Sequence, residues 1–176
     1  EESRLAMPEA MCLSTVDDDG YPEGRIVLLK DHDARGFVFY TNLRSRKARS
    51  LAARPRAGLT FYWEGLGRQV RAQGDVEPVA NEDADAYFAS RPVGSRVGAW
   101  ASFQSEVLES REALEARFRE LEDRHSQGPV PRPPHWSGLR VVPRRVEFWQ
   151  EGANRLHDRF VYRRDADRWT LERLYP

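Results

Sequence analysis

Two of the 28 basic residues in this 176-residue chain are lysines, Lys30 and Lys47, and each closes a short segment suited to an anion. Lysine offers a compact ammonium where arginine offers a planar fork, so a lysine kept among arginines is read as a position that asks for a point charge. Lys47 ends the run Tyr40-Thr41-Asn42-Leu43-Arg44-Ser45-Arg46-Lys47, a strand end leading into a helix start. Backbone N–H groups at a helix N-terminus, a hydroxyl, and the adjacent cations Arg46 and Lys47 are what a phosphomonoester dianion needs. Cations are otherwise disfavoured at the positive end of a helix, and the mismatch points to a bound anion. Lys30 ends Arg25-Ile26-Val27-Leu28-Leu29-Lys30. Strand alternation predicts Arg25, Val27 and Leu29 on one face and Ile26, Leu28 and Lys30 on the other.

Three further groups carry chemistry. Tyr87, Arg91 and Ser95 recur at four-residue spacing across a helix end broken by Pro92, where they can converge on one oxyanion. Gln69 and the pair Gln104-Ser105 supply neutral donors and acceptors for the edge of a heteroaromatic ring. The segment 147–159 surrounds a tight turn with Trp149, Arg155, His157 and Arg159, and alternation predicts the last three on one strand face. Other chemistries lack a signature. His32, His125, His135 and His157 are scattered without ligand spacing, no glycine-flanked serine forms a nucleophile elbow, and no glycine-rich loop cradles a nucleotide.

These residues must be placed by short elements. Met11–Val16, Gly24–Lys30 and Gly36–Thr41 read as strands separated by the turns at 17–20 and 31–36. Ser45–Ala53 carries helix formers and stops before Arg54-Pro55. Ala57–Trp63 and Arg68–Glu77 follow as strands joined by a connection holding Gly65 and Gly67. Asn81–Ser90 and Val93–Ser102 are helical in composition. A longer helix runs from an N-cap at Ser110 to about Arg124, with Leu114, Phe118 and Leu121 on one face and Glu115/Arg119 and Glu120/Arg124 as ion pairs. After a proline-rich connector at 128–134, strands are predicted at 139–142, 146–150, 159–163 and 169–174. Strands in meander order with helices concentrated in the middle argue against a doubly wound parallel sheet and for a small antiparallel barrel with helices outside.

Composition narrows the class. A chain of this length is expected to form one domain, spanning 1–176. Zero net charge excludes a global field recruiting nucleic acid or anionic membrane, so any anion site is local. The single cysteine, Cys12, cannot form an internal disulfide and is expected at a buried apolar strand position. The absence of a long apolar run or signal pattern makes a cytoplasmic protein the expectation, and the missing initiator methionine suggests a natural chain that begins earlier.

Taken in order, the segments 25–30, 39–47, 61–70, 87–100 and 147–159 resemble the pyridoxamine/pyridoxine 5′-phosphate oxidase family from about Ala10 to Pro176. The resemblance implies a mainly β fold with α, an antiparallel split β-barrel that binds FMN and carries peripheral helices, working as a homodimer with FMN at the interface. It implies FMN contacts at Arg25, Ile26, Val27, Leu28, Leu29, Lys30, Tyr40, Thr41, Arg46, Lys47, Gln69, Gln104, Ser105, Trp149 and Arg159, with Arg46 and Lys47 at the flavin phosphate. It assigns the substrate phosphate to Lys30, Tyr87, Arg91 and Ser95, and makes Arg155 and His157 the catalytic pair that holds the pyridine ring. The implied reaction belongs to vitamin B6 salvage. Pyridoxamine or pyridoxine 5′-phosphate gives up a hydride from C4′ to flavin N5, O2 reoxidises the flavin with release of H2O2, and pyridoxal 5′-phosphate is the product. The chain departs from the family in having little of its N-terminal arm, and in Ser137 and Phe103, which stand where the family often has glycine and a polar residue. Two alternatives stay open: a phenazine-biosynthesis-type oxidase of a substrate without a phosphate, and a non-catalytic module binding FMN or pyridoxal phosphate. Lys30, Tyr87, Arg91 and Ser95, suited to a vitamer phosphate, favour vitamer oxidation over the phenazine type.

Overall fold

The computed structural model describes residues 5–166 and 168–176. Their elements follow the predicted order except at β3 and β7: β1 (Ala10–Val16), β2 (Pro22–Leu28), β3 (Asp31–Asp33), β4 (Gly36–Asn42), α1 (Arg46–Ala53), β5 (Arg56–Trp63), β6 (Arg68–Pro78), α2 (Asn81–Ser90), α3 (Val93–Ala101), α4 (Arg111–Arg124), β7 (Trp136–Gln150), β8 (Asp158–Asp165) and β9 (Arg168–Arg173). They group into two compact units.

The first unit comprises residues through Phe39, Ser50–Glu77 and Arg140–Pro176. It holds most of a sheet in the order β2-β1-β5-β6-β7-β4-β3, with β8 on β7 and β9 on β8. This is not a plain meander, because β1 pairs with β5 and β7 stands between β6 and β4. The hairpins are antiparallel, with Met11 opposite Val27, Phe61 opposite Val70, and Trp149 opposite Arg159. The β1–β2 turn closes on the Asp17 carboxylate, which accepts the Tyr21 N–H at 2.8 Å. Met11, Leu13, Phe39, Leu59, Phe61, Ala72, Val141 and Val161 are buried, each on the inward side of its strand.

Several expectations are corrected in this unit. Cys12 is only half-buried, since alternation gives the inward positions to Met11 and Leu13. The expected turn at 31–36 contains the short strand β3, paired with β4. Strand β2 stops at Leu28, so Leu29 and Lys30 lie beyond the alternation, and Lys30 is exposed with its backbone N–H bonded to Val38 O at 2.9 Å. The two strands expected at 139–142 and 146–150 are one 15-residue strand passing through Pro143. Gly36 and Gly74 flank that stretch, and a Cβ on Gly74 would run into the Val142 carbonyl and Pro143. Bare glycine backbone is what lets the neighbouring chain approach this closely.

The second unit comprises Tyr40–Arg49 and Pro78–Leu139. Phe88, Val97, Ala101, Leu121, Val130 and Trp136 form its core, with Tyr40, Tyr87, Trp100, Leu114 and Phe118 packed against it. The amphipathic face predicted for α4 is thus the buried one. Ser110 caps that helix by accepting the Ala113 N–H at 3.1 Å. Of the two expected ion pairs on α4, Glu120–Arg124 forms at 2.7 Å, whereas Glu115 bonds Arg111 one turn earlier, at 2.8 Å. Arg119 instead donates to the Glu115 carbonyl at 3.3 Å.

Candidate functional site

The candidate residues divide between the two units. In the second unit, strand β4 ends at Asn42 and α1 begins at Arg46, so Thr41 and Lys47 flank the same turn. Ser45, fully buried, is the N-cap, its hydroxyl accepting the Ala48 N–H at 3.4 Å. Lys47 Nζ donates to three uncharged oxygens: Gln104 Oε1 at 3.1 Å, Ser45 Oγ at 3.3 Å and Thr41 Oγ1 at 3.4 Å. The Arg46 N–H donates to Ser105 Oγ at 3.1 Å. Ser105 has a left-handed backbone, φ 75°, which is uncommon for a residue with a Cβ and is held here by the surrounding contacts. Four of the predicted contacts, Thr41, Lys47, Gln104 and Ser105, therefore meet at the start of α1, beside Arg46. No acidic residue lies in the first turn of the helix. A cationic helix start lined by hydroxyls and an amide side chain fits a phosphate group.

A second cluster in the same unit is aromatic. The rings of Tyr40 and Tyr87 stack at 4.0 Å, and Tyr40 and Trp136 at 5.2 Å, with interplanar angles of 17° and 10°. Gly138 makes room for this stack, because a Cβ there would sit 2.7 Å from both the Tyr40 ring and Val79. Arg91, the residue after α2, lays its guanidinium over the Trp136 ring at 4.8 Å and Phe88 at 5.5 Å. Its Nη1 is buried without a hydrogen-bond partner. Burial holds the Arg91 pKa below its usual value, against the opposing pull of Tyr87. Burial pushes the Tyr87 hydroxyl upward, against the charge of Arg91, so at neutral pH it stays a hydrogen-bond donor. Tyr87 and Arg91 are thus brought together. Ser95, two residues into α3, is exposed and is not drawn into that pair.

The remaining candidates lie in the first unit. Arg25 spends its guanidinium on its own hairpin, donating to Thr15 Oγ1 at 2.7 Å and Glu23 Oε2 at 2.9 Å, and to the Leu13 and Glu23 carbonyls. Ile26 is exposed while Val27, Leu28 and Leu29 are half-buried. Gln69 sits half-buried on β6 opposite Tyr62. Trp149 faces Arg159 in the β7–β8 register, and its ring lies 4.6 Å from that of His157. The Gly152 N–H donates to His157 Nδ1 at 3.1 Å, which fixes Nδ1 as acceptor and leaves Nε2 to carry the proton of the neutral ring. The expectation that Arg155, His157 and Arg159 share a strand face is corrected: β8 begins only at Asp158. Arg155 lies in a 3-10 turn (Ala153–Arg155) with a left-handed φ of 64°, and is exposed.

Sequence reasoning misses Trp136, on which the aromatic stack and Arg91 rest, and Glu147, a buried acid bonded to Arg71, Arg145 and Arg159. A lone glutamate between Val146 and Phe148 is the available signal for the latter.

The comparisons with known proteins bear on this arrangement. Residues 2–125 match the family model described as pyridoxamine 5′-phosphate oxidase. The chain belongs to the pyridoxamine 5′-phosphate oxidase family. Residues 136–176 match that family's C-terminal dimerisation region, which supports a homodimer. A Myxococcus xanthus protein named pyridoxine/pyridoxamine 5′-phosphate oxidase is 59% identical over 169 residues, covering 96% of this chain and 82% of its own. The crystal structure of PhzG from Burkholderia lata in complex with tetrahydrophenazine-1-carboxylic acid superposes with a TM-score of 0.93 at 35% identity, covering 98% of this chain and 85% of that one. A pyridoxamine 5′-phosphate oxidase-related, FMN-binding protein of Nostoc punctiforme shares the fold, with a TM-score of 0.79 at 20% identity, covering 98% and 90%. The expected antiparallel split barrel with peripheral helices is therefore the fold of this family member.

Proposed function

We propose that the protein is an FMN-dependent oxidase of pyridoxamine 5′-phosphate and pyridoxine 5′-phosphate that forms pyridoxal 5′-phosphate. The observation that carries this reading is Arg91, a half-buried cation laid over Trp136 with Nη1 buried and unpartnered, beside the Tyr87 hydroxyl. Such a donor is costly to bury unless an anion meets it, and a substrate phosphate is that anion. When bound, FMN would supply the redox chemistry, as hydride acceptor from substrate C4′ and as the carrier that passes the electrons to O2 to give H2O2; with the amine substrate, water then displaces ammonia from the resulting imine to leave the aldehyde.

The chain's own part is binding and orientation. Lys47 and Arg46 at the start of α1, with Thr41, Gln104 and Ser105, hold the flavin phosphate. Tyr40, Gln69, Trp149, Arg159 and the segment Arg25–Lys30 complete the flavin contacts. Tyr87 and Arg91 hold the substrate phosphate, and Lys30 and Ser95 are further contacts assigned to it by the family resemblance. Arg155 and His157 hold the pyridine ring, with Nε2–H of His157 as the donor presented. The reading includes a homodimer with FMN at the subunit interface and a cytoplasmic location.

A second reading, oxidation of a substrate without a phosphate, is favoured by the likeness to PhzG. The 59% identity to the Myxococcus xanthus protein, against 35% to PhzG, supports the phosphorylated vitamers over it. One experiment separates them: FMN-loaded protein is mixed anaerobically with pyridoxine 5′-phosphate, pyridoxamine 5′-phosphate, or a tetrahydrophenazine carboxylic acid, and the flavin absorbance is followed. Bleaching by the phosphorylated vitamers, reversed by O2 with peroxide release, is expected. Bleaching by the phenazine alone selects the second reading, and a yellow protein that none of them bleaches sinks both in favour of a non-catalytic module.

A further inference from the structure

We propose that Glu147 is a positioning residue for the flavin site, acting through Arg159. The inference rests on the assignment of Arg159 to the flavin. Alternation along β7 turns Arg145, Glu147 and Trp149 to one face, and the β7–β8 register sets Glu147 opposite Val161 and Trp149 opposite Arg159. Glu147 and Arg159 are therefore diagonal neighbours, close enough for long side chains to meet.

Two N–H groups of one guanidinium meet one carboxylate oxygen. Oε1 of Glu147 accepts from Arg159 Nε at 3.1 Å and Nη2 at 2.9 Å, which fixes the plane of the guanidinium. Arg159 Nη1 is anchored separately, on the Tyr175 carbonyl at 3.0 Å. Oε2 of Glu147 accepts from Arg71 Nη2 and Arg145 Nη2, each at 2.6 Å. A carboxylate offers about four lone-pair sites, so these four bonds saturate it. The Nε atoms of Arg71 and Arg145 are buried without a partner, as expected where three guanidiniums share one acid. The Glu147 side chain is 2% exposed, so no solvent can replace it. Without the carboxylate, three cations repel one another and Arg159 keeps only its carbonyl anchor.

The test is a double-mutant cycle on FMN affinity, read by quenching of flavin fluorescence on titrating apoprotein, with Glu147→Gln, Arg159→Met and the double variant. Each single variant is expected to raise the FMN Kd about tenfold. The double variant is expected to be no weaker than Arg159→Met, because Glu147 acts through the residue already removed. Additive losses overturn the proposal and leave Glu147 a stabiliser of the fold. Wild-type affinity in Arg159→Met removes the flavin assignment of Arg159, and the inference with it, while Glu147 is still intact. Should Glu147→Gln fail to fold, Glu147→Asp enters the same cycle: it keeps the charge but draws it back by one methylene, and a loss of affinity that persists without Arg159 overturns the proposal.

Discussion

At the residue scale, the two lysines behave differently. Lys47 is gathered in by Gln104, Ser45 and Thr41, whereas Lys30 is exposed beyond the end of β2. If Lys47 serves the flavin phosphate, Lys47→Ala is expected to raise the FMN Kd about tenfold or more, the usual worth of a charged hydrogen bond. Arg155→Ala should leave the protein yellow while slowing flavin bleaching by pyridoxine 5′-phosphate. Fluorescence titration and anaerobic stopped-flow check the two, and equal loss of flavin in both would refute the division of roles. The Thr41–Lys47 pairing is legible in the sequence because both residues border one strand-to-helix turn. The place of Gln104 is not, since nothing local links it to a lysine 57 residues earlier in the chain. Alternation misplaces Arg155 because it assumes extended backbone, and the φ of 64° at that residue is left-handed.

At the element scale, the helices are more legible than the strand pairing. The boundaries of α2 and the cap of α4 follow from local signals: Pro92 after one, and Ser110 before an amphipathic run at the other. Ser110→Ala removes the acceptor of the Ala113 N–H and is expected to cost about 1 kcal/mol. Urea denaturation should show a lower midpoint with an unchanged slope, and Ser110→Asp should restore it. Strand β7 is harder to read. Pro143 suggests a break, because proline supplies no N–H to a ladder, yet the strand continues with Gly36 and Gly74 packed beside it. That continuity depends on residues far away in sequence.

At the scale of the whole chain, the Asp33–Arg140 pair joins residues 107 apart at 2.6 Å, with the arginine side chain buried. The hydrogen bond from Arg35, with Arg140 nearby, outweighs burial and holds the Asp33 carboxyl down at about 2, from 3.8. An acid with a depressed folded-state pKa stabilises fully above its unfolded value and loses that contribution as pH falls through the folded one. Thermal unfolding should therefore separate wild type from Asp33→Asn at neutral pH, and the gap should close between 3.8 and about 2. A gap that persists below that window would show that the pair does not act through charge. Glu147 is held low in the same sense, since the bonds and charges of Arg71 and Arg159 outweigh its burial.

The sequence by itself determined most of the run of strands and helices, the cationic start of α1, and the family, because these rest on local periodicity, caps and short motifs. Tertiary structure alone decided which strands pair out of order, the ring stack of Tyr40, Tyr87 and Trp136, and the four bonds that close on Glu147. The physical reason is that packing partners and buried charges are chosen by contacts between distant segments, and no local preference of the chain records them.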